Sequence, residues 1–287
     1  MRLRGIEIFR EKLPWYSGKR IFFLLIIPIA TAFCSLLFQF TMDSSPRLFK
    51  NIQFFQLMAP YIPIIGSGFI LTLGFILVYS FWRRKENLLK KDNVKAYQKA
   101  LPIALMGITL VISFVIHSIF PHDFLIPNHD SSELSWYFSI PLNEIFFKTH
   151  DFFLLTRMIL SFLLIALGFL VAFRSLLIFG IDNMGLVYVY YPEESKIVNH
   201  EIYSVLRHPT YHGLVLILMG CFFLRFSLYS IIYFFIFLIG INLHLKFVEE
   251  KELIQRFGRD YREYRKRVPA LFFRLKDFKK YFLFLFQ

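Results

Sequence analysis

The stretch 213–247, GLVLILMGCFFLRFSLYSIIYFFIFLIGINLHLKF, decides the fold. It is too long for one membrane span, which needs about 20 apolar residues in a helix. Arg225 interrupts it. We read it as a tight helical hairpin turning near 225–227, which supplies two spans. Four further apolar runs precede it: Ile21 to Met42, about Tyr61 to Trp82, Leu101 to Phe120, and one within Phe152 to Gly180. Arg157 and Arg174 fall near the ends of the last run, where long side chains can snorkel. The sum is an all-α polytopic membrane protein of about six transmembrane helices.

Composition agrees. Of 287 residues, 56% are hydrophobic, 20% aromatic and 18% charged, against about 25% charged in soluble domains. Mean hydropathy is +0.54. Such a chain is neither disordered nor a soluble globule. Two cysteines, Cys34 and Cys221, exclude a disulfide scaffold and a cysteine zinc site.

The net charge of +13 raises the question of a nucleic-acid partner. The basic residues instead flank apolar runs, and no nucleic-acid motif accompanies them, so none is expected. Lys and Arg number six in residues 1–20, two in 43–60, seven in 83–100, one in 121–151 and twelve in 246–287. By the positive-inside rule both termini, the 83–100 loop and the 181–212 segment face the cytosol. The first apolar run is longer than a signal-peptide core and lacks a clear cleavage site, so it reads as a retained span. The 121–151 loop is then non-cytosolic and carries no catalytic pattern. Residues 1–180 are expected to form an N-terminal bundle of four spans, and 181–287 a second region holding the hairpin and the cytosolic C-terminal segment, where the polar motifs place a cofactor. After Pro269, Leu271, Leu275, Phe278, Phe282 and Leu285 recur at helical spacing with Lys276, Lys279 and Lys280 between them. That suits a helix lying in the membrane interface or packed on the protein.

Two polar clusters carry the chemistry, and the hairpin brings them together. The first is Tyr203 to Gly213, YSVLRHPTYHG. Pro209 suits the first turn of a helix, whose free N–H groups and positive dipole end favour an anionic group. Arg207 and His208 crowd that end, Tyr211 adds a ring and a hydroxyl, and Gly213 permits close backbone approach. The second is Glu249, Glu250 and Glu252, followed by Phe257-Gly258, Tyr261, Tyr264 and Val268-Pro269. A carboxylate pair at a membrane-helix end either binds an ammonium or sulfonium cation or is a solvated acidic step. His208 and His212 have a zinc-compatible spacing, but no HExxH pattern appears and no metal is expected. His117 and His244 read as structural, and Glu193 and Glu194 as solvated charge. Serine-hydrolase and nucleotide-loop patterns are absent.

Together RHPTYHG and EEKELIQRFGRDYREYRKRVP resemble the isoprenylcysteine carboxyl methyltransferase family, within the wider group of membrane phospholipid methyltransferases. The resemblance covers roughly residues 185–272 and includes the approach SKIVNHEIYSVL. It implies an S-adenosylmethionine-dependent enzyme with a cytosolic cofactor pocket. Carried over, that pocket uses Ser195, Lys196, Ile197, Val198, Tyr203, His208, Pro209, Thr210, Tyr211 and Glu249, with Tyr188 as a weaker member. Gly258, Tyr261 and Tyr264 would shape the segment that closes it. The acceptor would be a lipid or lipidated molecule arriving from the bilayer. A carboxylate acceptor needs an orienting cation: Arg207, Lys246 or His244. An amine acceptor needs a base, such as Glu250. The isoprenylcysteine enzymes carry an Arg four residues before the first Glu of the pair. Here Leu245 stands there, with Lys246 about 100° away on an α-helix. The Gly usual before the approach Tyr is also absent, with Glu201 and Ile202 in its place. Two other readings remain: a membrane sterol-reductase-like enzyme using NADPH, and a non-enzymatic scaffold or transporter.

Overall fold

A computed structural model describes residues 4–92, 95–120, 133–146 and 151–286. It is 83% helical, with no strand among the described residues. The long helices are α1 (Ile21–Leu48), α2 (Ile62–Arg83), α3 (Ala96–His117), α4 (Asp151–Phe179), α5 (Pro209–Arg225), α6 (Leu228–His244), α7 (Glu250–Arg267) and α8 (Phe278–Phe286). Five segments among the described residues are long and apolar enough to cross a bilayer; α5 is the shorter apolar helix beside them. Its 17 residues reach about 25 Å, short of a hydrocarbon core of about 30 Å. The polytopic all-helical architecture is thus as expected, with five long apolar helices among the described residues and α5 the shortest of the set. The hairpin itself forms as expected. Phe226 takes a left-handed conformation, and Ser227 and Ser230 cap α6 reciprocally. Most of the 121–151 loop lies outside the described residues.

Two helix crossings organise the bundle. Glycines 74 and 107 bring α2 against α3, and glycines 168, 213 and 220 bring α4 against α5. A Cβ on Gly168 would stand 2.6 Å from the Gly213 carbonyl oxygen, and one on Gly213 2.7 Å from that of Gly168. The close approach anticipated at Gly213 therefore receives helix α4, not a ligand. Small residues serve this purpose in membranes because the hydrophobic effect gives no drive between helices. α1 is the least enclosed, with Phe22, Phe23, Leu25, Ile26, Ile29 and Phe33 exposed as lipid-facing surface.

Polar contacts define two ends. At one, the Ile181 N–H donates to the Arg4 carbonyl (2.9 Å), the Tyr97 hydroxyl to Gly185 O (2.6 Å) and the Tyr190 hydroxyl to Phe81 O (3.1 Å). Lys12 meets Glu194 at 2.6 Å, so Glu194 is an ion-pair partner and not free solvated charge. The N-terminus, the end of α2, the start of α3 and the 181–194 segment thus share a side. At the opposite end, buried His117 lies between Asp43 (2.9 Å) and Ser67 (3.1 Å). There Arg157 donates to Asn143 at 2.9 Å, and Arg225 to the Phe120 carbonyl. Arg174, at the first end, donates to Leu285 O at 3.2 Å. Neither arginine of α4 needs to snorkel, because each has a protein partner.

The last helix combines its two expected modes. Tyr281 and Leu285 are buried, while Leu275, Phe278 and Phe286 stay exposed. The Tyr281 hydroxyl meets His212 Nε2 at 3.0 Å. His212 is thereby turned away from His208.

Candidate active site

The two motif clusters meet where the start of α5 faces the junction of α6 and α7. Arg207 and His208 sit on an extended segment whose backbone N–H groups donate to Pro269 O (2.9 Å) and Ala270 O (3.1 Å). This holds the first motif against the chain that leaves α7. The Arg207 guanidinium donates from Nε to Glu250 Oε1 at 3.0 Å, and Nη2 bonds the same oxygen. Its Nη1 donates to Val268 O (2.6 Å) and Arg265 O (2.9 Å). Arg265 Nε reaches Glu250 Oε2 at 3.2 Å. Glu250 is buried, Arg207 is partly buried, and the two side chains are engaged with each other and the backbone.

His208 bridges the carboxylates: Nδ1 lies 3.2 Å from Glu249 Oε1 and Nε2 3.3 Å from Glu250 Oε1. Burial opposes its charge, but the two carboxylates outweigh it and hold the imidazole above its ordinary range. A raised folded value stabilises the fold below the ordinary value near 6.5, and that stabilisation is lost as pH rises through the raised value. The melting temperature of detergent-purified protein should therefore fall as pH rises from about 6.5 through that value. His208→Gln should flatten this limb, and an unchanged slope in that variant would assign it elsewhere. The Tyr211 ring lies between the two imidazoles, its centre 6.0 Å from that of His208 and 6.2 Å from that of His244.

Between α6 and α7, Leu245–Glu249 forms a π turn. Such turns are rare and cluster at functional sites. The extra residue changes which side chains share a face. His244, five residues before Glu249, comes over it, with Nε2 3.9 Å from Glu249 Oε2. Leu245 is buried in the apolar core. Lys246 is exposed, its ammonium 5.1 Å from the Phe247 ring centre, and is not brought into the cluster.

Further along, Gly258 breaks α7 with φ 56° and ψ −121°, a conformation suited to glycine. The bend turns Tyr261 and Tyr264 inward. The Tyr264 hydroxyl donates to Tyr203 O at 2.5 Å, while the Tyr261 hydroxyl is buried without a hydrogen-bond partner. A Cβ at Gly258 would meet nothing within 4 Å, so Gly258→Ala should cost about 1–3 kcal/mol from backbone strain alone. Thermal unfolding of the two forms measures it.

Beside this bend is a cleft of about 490 Å³ lined by Ser195, Lys196, Ile197, Asn199, Phe257, Asp260, Glu263, Tyr264 and Arg267. Three of the four residues expected from the 195–198 segment line it. Val198 packs instead in the apolar cluster containing Tyr203. Tyr203 stacks on Phe179 with centroids 5.1 Å apart. Pro209 is buried and begins α5, and Thr210 faces Met184 at 4.0 Å. Tyr188 is committed elsewhere, donating to Asp182 at 2.5 Å. Sequence reasoning named Phe257 in the second cluster but missed Asn199, Asp260, Glu263 and Arg267 in the cleft, and Trp82 and Phe75 beside His244. For Asp260, Glu263 and Arg267 the available signal was their spacing of three and four residues after Phe257 on α7.

This geometry joins the two halves of the motif into one constellation. Residues 156–260 match the family model described as phospholipid methyltransferase. Over these residues the chain is similar to the phospholipid methyltransferases, the wider group that the motifs resemble. The match begins in α4 and ends in α7, so it spans the α4–α5 crossing, the hairpin and both carboxylates. It supports a membrane methyltransferase acting on lipid. No curated protein and no solved structure matches the chain.

Proposed function

We propose that the chain is an integral membrane methyltransferase that takes its methyl group from S-adenosylmethionine and transfers it to a lipid or lipidated acceptor. The observation that carries this reading is the His208 bridge between Glu249 and Glu250, which unites the two motif halves beside an open cleft. The cleft suits such a cofactor. Among its lining residues Phe257 offers an aromatic ring, Asp260 and Glu263 offer carboxylate acceptors, and Ser195, Lys196 and Ile197 come from the approach to the first motif. The unpartnered Tyr261 hydroxyl lies inward of it. Tyr203, His208 to Tyr211 and Glu249 do not line the cleft; Tyr264, which does, is bonded to the Tyr203 carbonyl, and we assign the sulfonium end of the cofactor to the Glu249 side. The cofactor supplies an activated methyl on a sulfonium sulfur. The chain's own task is to align and desolvate the reactants. Glu249 carries the negative charge nearest the exposed side of the cluster, where a sulfonium or ammonium is stabilised.

Isoprenylcysteine-type specificity is less well supported. A carboxylate acceptor needs a cation, yet Arg207 is spent on Glu250 and two carbonyls, Leu245 is in the core and Lys246 points outward. Glu250 is likewise held by Arg207 and Arg265, which suits a structural role better than proton transfer. We therefore favour an acceptor that is not a carboxylate. The end bearing both motifs, the termini and the 83–100 loop would face the cytosol. The direct test supplies methyl-labelled S-adenosylmethionine to the reconstituted protein and follows label into the lipid extract. Label in lipid, lost in Glu249→Ala, supports the reading; no label in lipid, together with NADPH-dependent reduction of a sterol by the same preparation, would favour the reductase.

A further inference from the structure

The mouth of the site toward α2 holds polar atoms that the protein leaves unused. His244 is buried at 5% exposure, and its Nε2 has no hydrogen-bond partner; the nearest carboxylate oxygen, on Glu249, is 3.9 Å away. Trp82, from α2, places its indole against the same imidazole with centroids 5.7 Å apart, and its Nε1–H is also buried without a partner. Two such atoms, on rings from different helices only 5.7 Å apart, are costly unless something binds there. Phe75 stacks on His244 at 5.6 Å, and Tyr211 closes the other side at 6.2 Å. Phe75 is seated on Gly240, where a Cβ would stand 2.6 Å from its ring. Tyr79 of α2, Leu243 of α6 and Phe247 of the π turn are exposed on the apolar surface nearby.

We propose that Trp82 and His244 form the acceptor subsite, binding a lipid head group that carries an acceptor oxygen beside a proton-bearing nitrogen or oxygen. The indole N–H donates to the head-group oxygen. The neutral imidazole accepts a hydrogen bond from the nucleophile at Nε2, and the Glu249 carboxylate faces that nucleophile. The rings of Phe75 and Tyr211 exclude water. This gives the N-terminal bundle a part in the site, since α2 supplies Trp82 and Phe75. The proposal rests on the methyltransferase reading of the same site.

The experiment uses the detergent-purified full chain with two probes. S-adenosylhomocysteine is titrated calorimetrically. A short-chain phosphatidylethanolamine is titrated by tryptophan fluorescence in protein carrying Trp15→Phe and Trp136→Phe, which leaves Trp82 as reporter. We expect a saturable Trp82 shift, weakened about tenfold by His244→Gln for one lost hydrogen bond. S-adenosylhomocysteine affinity should stay within about twofold. Trp82→Phe in the otherwise native chain should raise KM for the lipid more than it lowers kcat. Retained cofactor binding with no Trp82 shift, or a shift indifferent to His244→Gln, overturns the subsite alone. Loss of both ligands in His244→Gln assigns His244 to the fold and also overturns it. Failure of the native chain to bind S-adenosylhomocysteine overturns the methyltransferase reading beneath it.

Discussion

Glu250→Ala should destabilise the protein by about 3–5 kcal/mol, because it leaves a buried charge without its partner. The Arg207 and Glu250 side chains are 8% and 7% exposed. Glu250 receives Arg207 through two nitrogens, Arg265 at 3.2 Å and His208 at 3.3 Å. Without the carboxylate, the Arg207 guanidinium retains only the Arg265 and Val268 carbonyls. Arg207→Met alone should be comparably harmful. The double variant should be less harmful than the sum, since neither charge is then orphaned. Unfolding of the four forms in one detergent gives the coupling energy. Simple additivity would mean that the pair is not a unit.

The second large effect is at the α4–α5 crossing. Gly168→Val should prevent the two helices from seating, because the first added carbon already falls 2.6 Å from Gly213 O and 2.9 Å from the Ile217 nitrogen. Both obstacles are backbone and cannot rotate away. Overpacking of this kind costs about 1–3 kcal/mol, and more where backbone must move. α5 begins with the His208 motif, so the displacement also disturbs the site. Gly68→Ala is the control: its Cβ would meet nothing within 4 Å, and alanine is the better helix former. Size-exclusion behaviour and melting temperature should separate the two variants sharply. Equal stability would contradict the close crossing.

The helical spans were legible because apolar length is a direct consequence of bilayer thickness. The hairpin turn at 225–227 was legible for the same reason, since Arg225 interrupts an otherwise continuous run. The meeting of Arg207, His208, Glu249 and Glu250 was legible through the motif and the shared side of the hairpin ends. The π turn was not. Leu245-Lys-Phe-Val-Glu249 carries no signal that distinguishes it from ordinary helix, and α-helical spacing put the wrong neighbours over Glu249. With five residues to the turn, His244 takes the position that an i−4 residue would hold, and Leu245 turns into the core. Gly213 was readable as a close-approach position, but not the identity of its partner, because Gly168 lies on another helix. The roles of Trp82 and Phe75 depend on packing between distant helices, which spacing alone does not reveal.

We propose that the joined motif clusters hold S-adenosylmethionine. Calorimetric titration of the detergent-purified protein with S-adenosylhomocysteine, beside Glu249→Ala, tests it most directly. The account predicts saturable one-site binding by the native chain and its loss in a variant that remains folded. A well-folded native protein that binds no S-adenosylhomocysteine, but binds NADPH, would contradict it.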